Sequence, residues 1–161
     1  MTLVGLYHDF ESVPISLGSK RTIERILEFT SDYGTIIVRK AFADWNNAAY
    51  PRKIQLFLHN AGIELSHIPH QRVNDVDFVV ERTVLSDTAT YNYSTVVLIA
   101  NDKDYIHLIN ELRKREVYVV VVGRNNANRV LVQSANRFLS IDEVSTTSTI
   151  NMTHQGVESE V

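Results

Sequence analysis

The chain has 161 residues, of which 44% are hydrophobic and none is cysteine, and its formal net charge is −3. This length supports one domain with a hydrophobic core, and the lack of cysteine excludes disulfides and thiolate metal sites. No apolar stretch approaches the roughly 20 residues of a membrane span, and the first ten residues lack the basic region of a signal peptide. We therefore expect a cytoplasmic protein without membrane association, and the charge balance argues against a strongly basic nucleic-acid coat protein.

Short apolar runs alternate with segments of helical spacing along the chain. The runs predict β-strands at residues 3–7, 35–38, 63–68, 96–100, 117–122 and 138–141, and the second strand could continue through residue 41 to "FADW" at residues 42–45. Apolar residues at helical spacing predict helices near residues 23–30, 50–62, 76–84, 105–112 and 130–135. In the second of these helices Pro51 lies in the first turn and Gly62 just past the end, where each residue type is favoured.

This alternation indicates the α/β fold class, with a mainly parallel central sheet covered by helices on both faces. Residues 1–144 form the predicted domain. Residues 145–161 are polar and weakly patterned, so we interpret them as a C-terminal extension. In an open parallel sheet, ligands bind beyond the carboxyl ends of the strands, where the strand order reverses.

Carboxylates occur at the predicted element ends. Asp9 follows the first strand, Asp102 and Asp104 follow the fourth, and Asp75 precedes the valine-striped third helix. Parallel strands place their carboxyl ends on one edge, so Asp9 and Asp102 are expected to be neighbours despite their sequence separation. Clustered carboxylates repel one another unless a cation or proton neutralises them. An all-oxygen donor set suits Mg²⁺ or Mn²⁺.

Two aspartates compete for the position on the third helix. Asp75 and Asp77 flank its valine stripe on opposite sides, at about 100° per residue. Asn74 followed by Asp77 resembles a capping box, which gives Asp77 a structural role and leaves Asp75 for the site. Glu81 lies one turn beyond Asp77 on the same side and is the reserve candidate. We expect a raised carboxyl pKa in the cluster, foremost at Asp9, because the first strand should be central and buried.

A single Asp at a strand end is more often a helix cap or turn residue than a ligand. Asp104 alone could cap the fourth helix, and Asp9 alone could be a turn residue. The joint occurrence at several predicted edge positions is what favours a metal site over these structural interpretations.

Several segments resemble the NYN domain, a branch of the PIN-like nucleases that includes the LabA-like bacterial proteins. In chain order they are "YHDFESV", "KAFADW", "HNAGIELSHIP", "NDVDFVVE", "VVLIANDKDYIHLINELRKREVYVVVVG" and "VLVQSANRFLSIDEV". The resemblance covers residues 3–144. Its most specific part is the strand, D-x-D-[FY] motif, helix and following strand that begin at "LIANDKDY".

The resemblance implies a PIN-like three-layer α/β/α fold and metal-dependent cleavage of RNA. The family's first-strand aspartate matches Asp9, its helix-start aspartate matches Asp75, and its later helical acid matches Glu81. Its D-x-D pair matches Asp102 and Asp104.

The chain departs from the family pattern near these acids. Ser12 stands where the family often has Asn, and Ala100-Asn101 replaces the Ser-Gly before the D-x-D pair. The family's Lys before the helix aspartate is missing, and Arg72 is the nearest basic residue.

The predicted function is therefore that of a ribonuclease that hydrolyses phosphodiester bonds with Mg²⁺ or Mn²⁺ as cofactor. The predicted catalytic and metal-binding residues are Asp9, Asp75, Asp102 and Asp104. The predicted substrate-binding residues are Ser12, Lys20, Arg39, Arg72 and Arg124, which supply hydroxyl and positive groups for phosphates. The expected partner is RNA, in single-stranded form, and a homodimer is left open.

Alternatives from other classes remain. A catalytically degenerate RNA-binding or protein-interaction module could use the same fold. A phosphatase of the haloacid dehalogenase type would need an Asp two residues after Asp9, where this chain has Glu11, and it ranks low. Trp45 and Tyr50 could stack on unpaired bases, although packing in the core or at an interface explains a lone Trp equally well.

Overall fold

The structure, a computed structural model, describes residues 1–69 and 75–144, and for Asp75 it describes the backbone alone. The strands are β1 Leu3–Asp9, β2 Thr35–Ala43, β3 Glu64–His67, β4 Thr95–Ile99, β5 Tyr118–Gly123 and β6 Arg137–Ser140. The helices are α1 Lys20–Ser31, α2 Arg52–Asn60, α3 Asp75–Tyr91, α4 Ile106–Lys114 and α5 Arg129–Ser134. They confirm the predicted alternation of strands and helices.

The strands form one parallel sheet in the order β3-β2-β1-β4-β5-β6. Every residue of β4 is buried, and β5 is buried after its first residue. Their unbroken apolar runs are typical of central parallel strands, which are covered on both faces. This arrangement confirms the predicted α/β fold with a parallel sheet.

Helices cover both faces of the sheet and create two hydrophobic cores. Ile26 of α1 and Leu58 of α2 pack against alternate strand residues such as Leu6 and Val97 on one face. The other face is covered by α3, α4 and α5, whose contributions include Val80, Leu108 and Leu131. The three layers are therefore α1 and α2, the sheet, and α3 to α5.

The strand order reverses between β1 and β4, which are hydrogen-bonded neighbours. From β1 the chain builds outward through β2 and β3, and α3 then returns it to β4 on the other side of β1. His8 pairs with Ile99 at the carboxyl end of this register. Asp9, the last residue of β1, and the turn that begins at Ala100 thus lie together at the position where open α/β sheets bind ligands.

Element ends follow the local chemistry of the chain. Pro51 precedes α2 directly, and Gly62 adopts the positive φ of 78° shortly after its end, which agrees with the predicted boundaries. Strand β2 ends at Ala43, within the longer of its two predicted extents, and Lys40 in this strand pairs with Asp87 of α3 at 3.1 Å. The predicted extension at 145–161 lies outside the described residues.

No helix among the described residues has the length and apolar character needed to cross a lipid bilayer.

Candidate metal centre

Three carboxylates converge at the strand-order reversal. Asp77 projects from the first turns of α3, and Asp102 and Asp104 lie in the turn after β4. Each contributes an oxygen to a group whose members all lie within 4.8 Å of one another. Asp77 and Asp102 are partly buried, whereas Asp104 is exposed. The group has the donor type and the compactness of a site for a hard divalent cation.

Local hydrogen bonds fix the turn that carries Asp102 and Asp104. The Ala100 N–H donates to the Val122 carbonyl, and the Arg124 N–H donates to Asn101 Oδ1 at 2.8 Å, so β5 holds the start of the turn. Asp102 Oδ1 then accepts the Asp104 N–H at 3.1 Å and caps the short 3₁₀ turn Lys103–Tyr105. The capping and the metal-site interpretations of this motif are compatible, because a carboxylate offers several acceptor positions.

Asp9 is held beside this cluster in a separate set of hydrogen bonds. Its Oδ1 accepts the N–H groups of Glu11 and Ser12, both at 3.2 Å, and its Oδ2 accepts the Tyr105 hydroxyl at 2.7 Å. The residue is 2% exposed. Burial raises the pKa of Asp9, and the hydrogen bonds from Tyr105, Ser12 and Glu11 oppose that rise. The raised pKa predicted for Asp9 is thus confirmed, with desolvation as its main cause.

Tyr105 connects Asp9 to the metal centre. Burial first, and then the charge and hydrogen bond of Asp9, raise the pKa of the Tyr105 phenol well above its ordinary value, and Asp77 adds to the rise. The phenol therefore keeps its proton and acts as a donor between the buried carboxylate and the cluster. The sequence pattern places residue 105 on the apolar side of the fourth predicted helix. Its hydroxyl, a polar group among apolar positions, was the feature that could have indicated a role at the site.

The electrostatics of the cluster are most evident at Asp77. Burial, a hydrogen bond with Asp104 and the charges of Asp9, Asp102 and Asp104 together raise the pKa of Asp77 to about 7. Without a cation, the Asp77 carboxyl is therefore about half protonated near neutral pH. Such repulsion between neighbouring acids is what a bound cation relieves.

Asp77 is the site residue to which sequence reasoning gave a capping role instead. Asn74, its predicted capping partner, lies outside the described residues. Asp75 begins α3, and its side chain lies outside the described residues as well, so its role as a ligand stays a prediction. Glu81, the reserve candidate, pairs with the His107 imidazole of α4 and raises the pKa of that imidazole.

The predicted substrate-binding residues occupy different places. Ser12 lies at the sheet edge, where its N–H and its hydroxyl both bond to Asp9. Arg124 follows β5, and its guanidinium donates to the Pro14 carbonyl at 3.2 Å beside a cleft of about 360 Å³.

Lys20 and Arg39 lie near α2, and Arg72 lies outside the described residues. Lys20 begins α1 with its ammonium 6.0 Å from the centroid of the Phe57 ring of α2. The Arg39 guanidinium donates a hydrogen bond of 3.1 Å to the carbonyl of Ala61, the residue after α2. Arg39 pairs with Leu6, three residues before the edge position at which Asp9 pairs with Phe42.

Trp45 serves packing at this edge. It is 7% exposed, its indole N–H donates to the Ser66 carbonyl at 3.0 Å, and its ring contacts those of Phe10 and Tyr50. The packing interpretation of the lone tryptophan is therefore confirmed. Tyr50 remains partly exposed.

Fold and site together define an α/β domain with a parallel sheet and an acidic group at its strand-order reversal. The family model of the NYN domain matches residues 3–142. The chain belongs to the NYN domain family, whose members share a PIN-like nuclease fold.

A solved structure from Vibrio parahaemolyticus, described as a protein of unknown function, is 18% identical with a TM-score of 0.69, and the match covers 89% of this chain and 94% of that one. It supports the fold. A homoserine dehydrogenase from S. aureus matches 87% of this chain and 32% of its own at 9% identity, but its TM-score of 0.45 is too low to support any argument. A comparison with curated proteins found no match.

Proposed function

We propose that this protein is a divalent-metal-dependent ribonuclease that hydrolyses phosphodiester bonds of single-stranded RNA. The observation that carries the proposal is the convergence of Asp77, Asp102 and Asp104 within 4.8 Å at the strand-order reversal. Membership of the NYN family supports the same activity. Asp9 and Asp75 complete the proposed acidic set, Asp9 through its hydrogen bond with Tyr105 and Asp75 by its position at the start of α3.

The residues present fit a hard cation. The donors are carboxylate oxygens and the chain has no cysteine. The pKa of Asp77 is raised by burial first and then by its acidic neighbours. These properties suit Mg²⁺ or Mn²⁺. Such an ion supplies Lewis-acid polarisation of the phosphate and lowers the pKa of a coordinated water.

The chain's own groups would prepare the site for this chemistry. Asp102 is oriented by the N–H of Asp104, and Asp9 is fixed by three donors, so neither carboxylate has to be ordered when substrate binds. The Arg124 guanidinium lies next to the loop after β1, where a positive charge would hold a phosphate. Positioned groups of this kind lower the barrier by preorganisation.

The strand order also occurs in dinucleotide-binding folds, which bind pyrophosphate through a glycine-rich turn after the first strand. Here the residues that follow His8 read "DFESVPISLG". An acidic turn without a G-x-G-x-x-G pattern repels a pyrophosphate in the absence of a cation, so the sequence favours metal-assisted hydrolysis over dinucleotide binding.

The test is cleavage of labelled single-stranded RNA by the purified protein. We expect cleavage with Mg²⁺ or Mn²⁺ and none in EDTA. Asp102→Asn should lower the rate at least about a hundredfold, because a lost metal ligand removes several kcal/mol of transition-state stabilisation, at about 1.4 kcal/mol per decade. Asp32→Asn, an exposed position at the end of α1, is the matched control and should cleave like the parent.

Calorimetry with Mn²⁺ separates the activity from its main alternative. Binding of Mn²⁺ by the parent without cleavage of any RNA would favour a binding module on the same fold. Equal cleavage by the parent and a folded Asp102→Asn would refute the assignment of this carboxylate.

A further inference from the structure

A second cleft lies at the carboxyl end of β1, with Phe10, the neighbour of Asp9, in its wall. It has a volume of about 330 Å³ and lies between the loop after β1 and the segment that leads into α2. Its lining is mostly apolar and includes Phe10, Ile15, Leu17, Tyr50, Pro51 and Ile54. Ligand-binding pockets start at about 300 Å³, so the cleft has room for one small ring system.

The wall of this cleft adjoins Asp9. Phe10, in its wall, follows Asp9 directly in the chain and donates its N–H to the Phe42 carbonyl at 3.1 Å, which anchors it to the end of β2. Burial and the charges of Glu11, Asp9 and Asp44 raise the pKa of the Tyr50 phenol. The Tyr50 side chain therefore belongs both to the apolar cleft and to the electrostatic surroundings of the proposed metal site.

The aromatic wall is held rigidly by its neighbours. The Tyr50 ring meets the Phe10 ring edge-on at 5.5 Å and the Trp45 ring edge-on at 5.6 Å. Gln55 donates to the carbonyls of Tyr50 and Trp45, at 2.9 and 2.8 Å. Because side chain and backbone are both fixed, a flat ligand that contacts Tyr50 does not have to order it first.

We propose that this cleft, defined by Phe10, Leu17, Tyr50 and Ile54, binds an unpaired nucleobase of the strand whose phosphate lies at the metal centre. The inference rests on the proposed function. None of the described residues that line the cleft is Lys or Arg, so it offers no positive charge for a phosphate, and Ser16 is its one hydroxyl besides that of Tyr50. The neighbouring cleft shares Ser16 but is also lined by Arg124, which supplies that charge. A base has apolar faces that stack on aromatic rings without sequence preference, and a duplex would keep its bases out of reach.

The experiment compares binding of two oligomers with equal numbers of phosphates: an eight-residue oligouridylate and an abasic oligomer of the same length. Both are titrated by fluorescence anisotropy into protein that carries Asp102→Asn to prevent cleavage. Tyr50→Leu should weaken oligouridylate binding at least about fivefold, the lower end of what loss of one base stack causes. Binding of the abasic oligomer should stay unchanged, and Tyr50→Phe, which keeps the ring, should stay within about twofold.

Two further variants guard against misfolding and general surface effects. Leu17→Glu changes a residue that is 38% exposed at the lip of the cleft, so it places a carboxylate against the base without touching the core, and it should weaken oligouridylate binding too. Tyr91→Leu removes a tyrosine that is 43% exposed at the far end of α3. This variant should bind both oligomers like the parent.

The outcomes separate this inference from the function on which it rests. If the parent cleaves RNA, and Tyr50→Leu in the Asp102→Asn protein binds oligouridylate as tightly as Asp102→Asn alone, the base subsite is refuted and the ribonuclease proposal stands. Equal weakening for both oligomers also refutes it, because Tyr50 would then act on phosphate binding or on the fold. Self-association of the parent that Tyr50→Leu abolishes, with RNA affinity unchanged, would assign the cleft to protein contacts. A parent that binds Mn²⁺ and neither oligomer overturns the proposed function and the subsite with it.

Discussion

The acidic cluster should cost the metal-free protein stability, and Asp77→Asn should recover it. The pKa of Asp77 rises from 3.8 to about 7. At about 1.4 kcal/mol per pKa unit this corresponds to a ceiling of about 4 kcal/mol. The side chain is partly exposed, and solvent screens the repulsion, so we expect a gain of about 1–2 kcal/mol. Asn keeps the size of Asp and can donate its amide N–H to Asp104.

The size of this stability gain depends on pH. Below pH 3.8 the Asp77 carboxyl is protonated in both the folded and unfolded protein, so its titration adds no difference between parent and variant. Between 3.8 and about 7 the folded protein keeps a proton that the unfolded chain has released, and stability of the parent falls as pH rises. Above about 7 the full penalty is present. The advantage of Asp77→Asn should therefore grow from near zero at pH 4 to its maximum at pH 8.

The assay is urea unfolding in EDTA, followed by the fluorescence of the single tryptophan, Trp45, at pH 4, 6 and 8. In thermal unfolding the expected gain at pH 8 amounts to about 2–8 °C for a domain of this size. Asp32→Asn serves as the control and should show no such pH-dependent gain. An Asp77→Asn protein that is no more stable than the parent at pH 8, or whose gain is independent of pH, would refute the account of clustered charge.

Further predictions concern the cation and two buried groups. Mn²⁺ must displace the proton of Asp77, so its affinity, measured by calorimetry, should fall by up to about tenfold per pH unit below pH 7; a constant affinity from pH 8 to 5 would contradict this. Burial lowers the pKa of His8 from 6.5 to about 4. As pH falls from 6.5 to 4 the unfolded chain binds a proton that the folded protein does not, so the free energy of unfolding should fall by about 3 kcal/mol. His8→Gln can still donate to the Val13 carbonyl, and it should remove this fall from the plot of urea midpoint against pH. An unchanged plot would show that His8 is not its cause. Tyr105→Phe leaves the buried Asp9 without its 2.7 Å donor and should destabilise the protein by about 1–3 kcal/mol at pH 8; chemical denaturation that shows no loss would argue against the bridge.

Strands and helices could be predicted because burial imposes a period on the sequence. The unbroken apolar runs of β4 and β5 indicated strands covered on both faces. In the structure every residue of β4 is buried, as is every residue of β5 after the first. The valine stripe gave α3 for the same reason. The sequence left open whether the second strand stops at residue 38 or continues into residues 42–45. Only the structure shows that Lys40 is accommodated inside the sheet by Asp87, which lies 47 positions further along the chain.

The candidate site was predicted in type and place, and in part of its membership. Asp102 and Asp104 followed from their position after a buried strand, and both belong to the cluster. The choice on α3 depended on which side of the helix turns toward β4. Asp77 and Glu81 share a side, and the contact of Glu81 with His107 shows that this side faces α4. Periodicity places the two aspartates on either flank of the valine stripe equally well, so the preference for Asp75 rested on the resemblance of Asn74 and Asp77 to a capping box.

By itself the sequence determined that the protein is an α/β domain with acids at strand ends, because helical and strand periods are local properties of the chain. Tertiary structure decided which acids act together. Asp9 and Tyr105 are 96 positions apart in the chain, yet the Tyr105 hydroxyl lies 2.7 Å from Asp9 Oδ2. Asp77 of α3 has a carboxylate oxygen within 4.8 Å of one from Asp102, which follows β4. Charges and hydrogen bonds depend on distance in space and on exclusion of water. The raised pKa of Asp77 therefore arises where α3 packs against the end of β4.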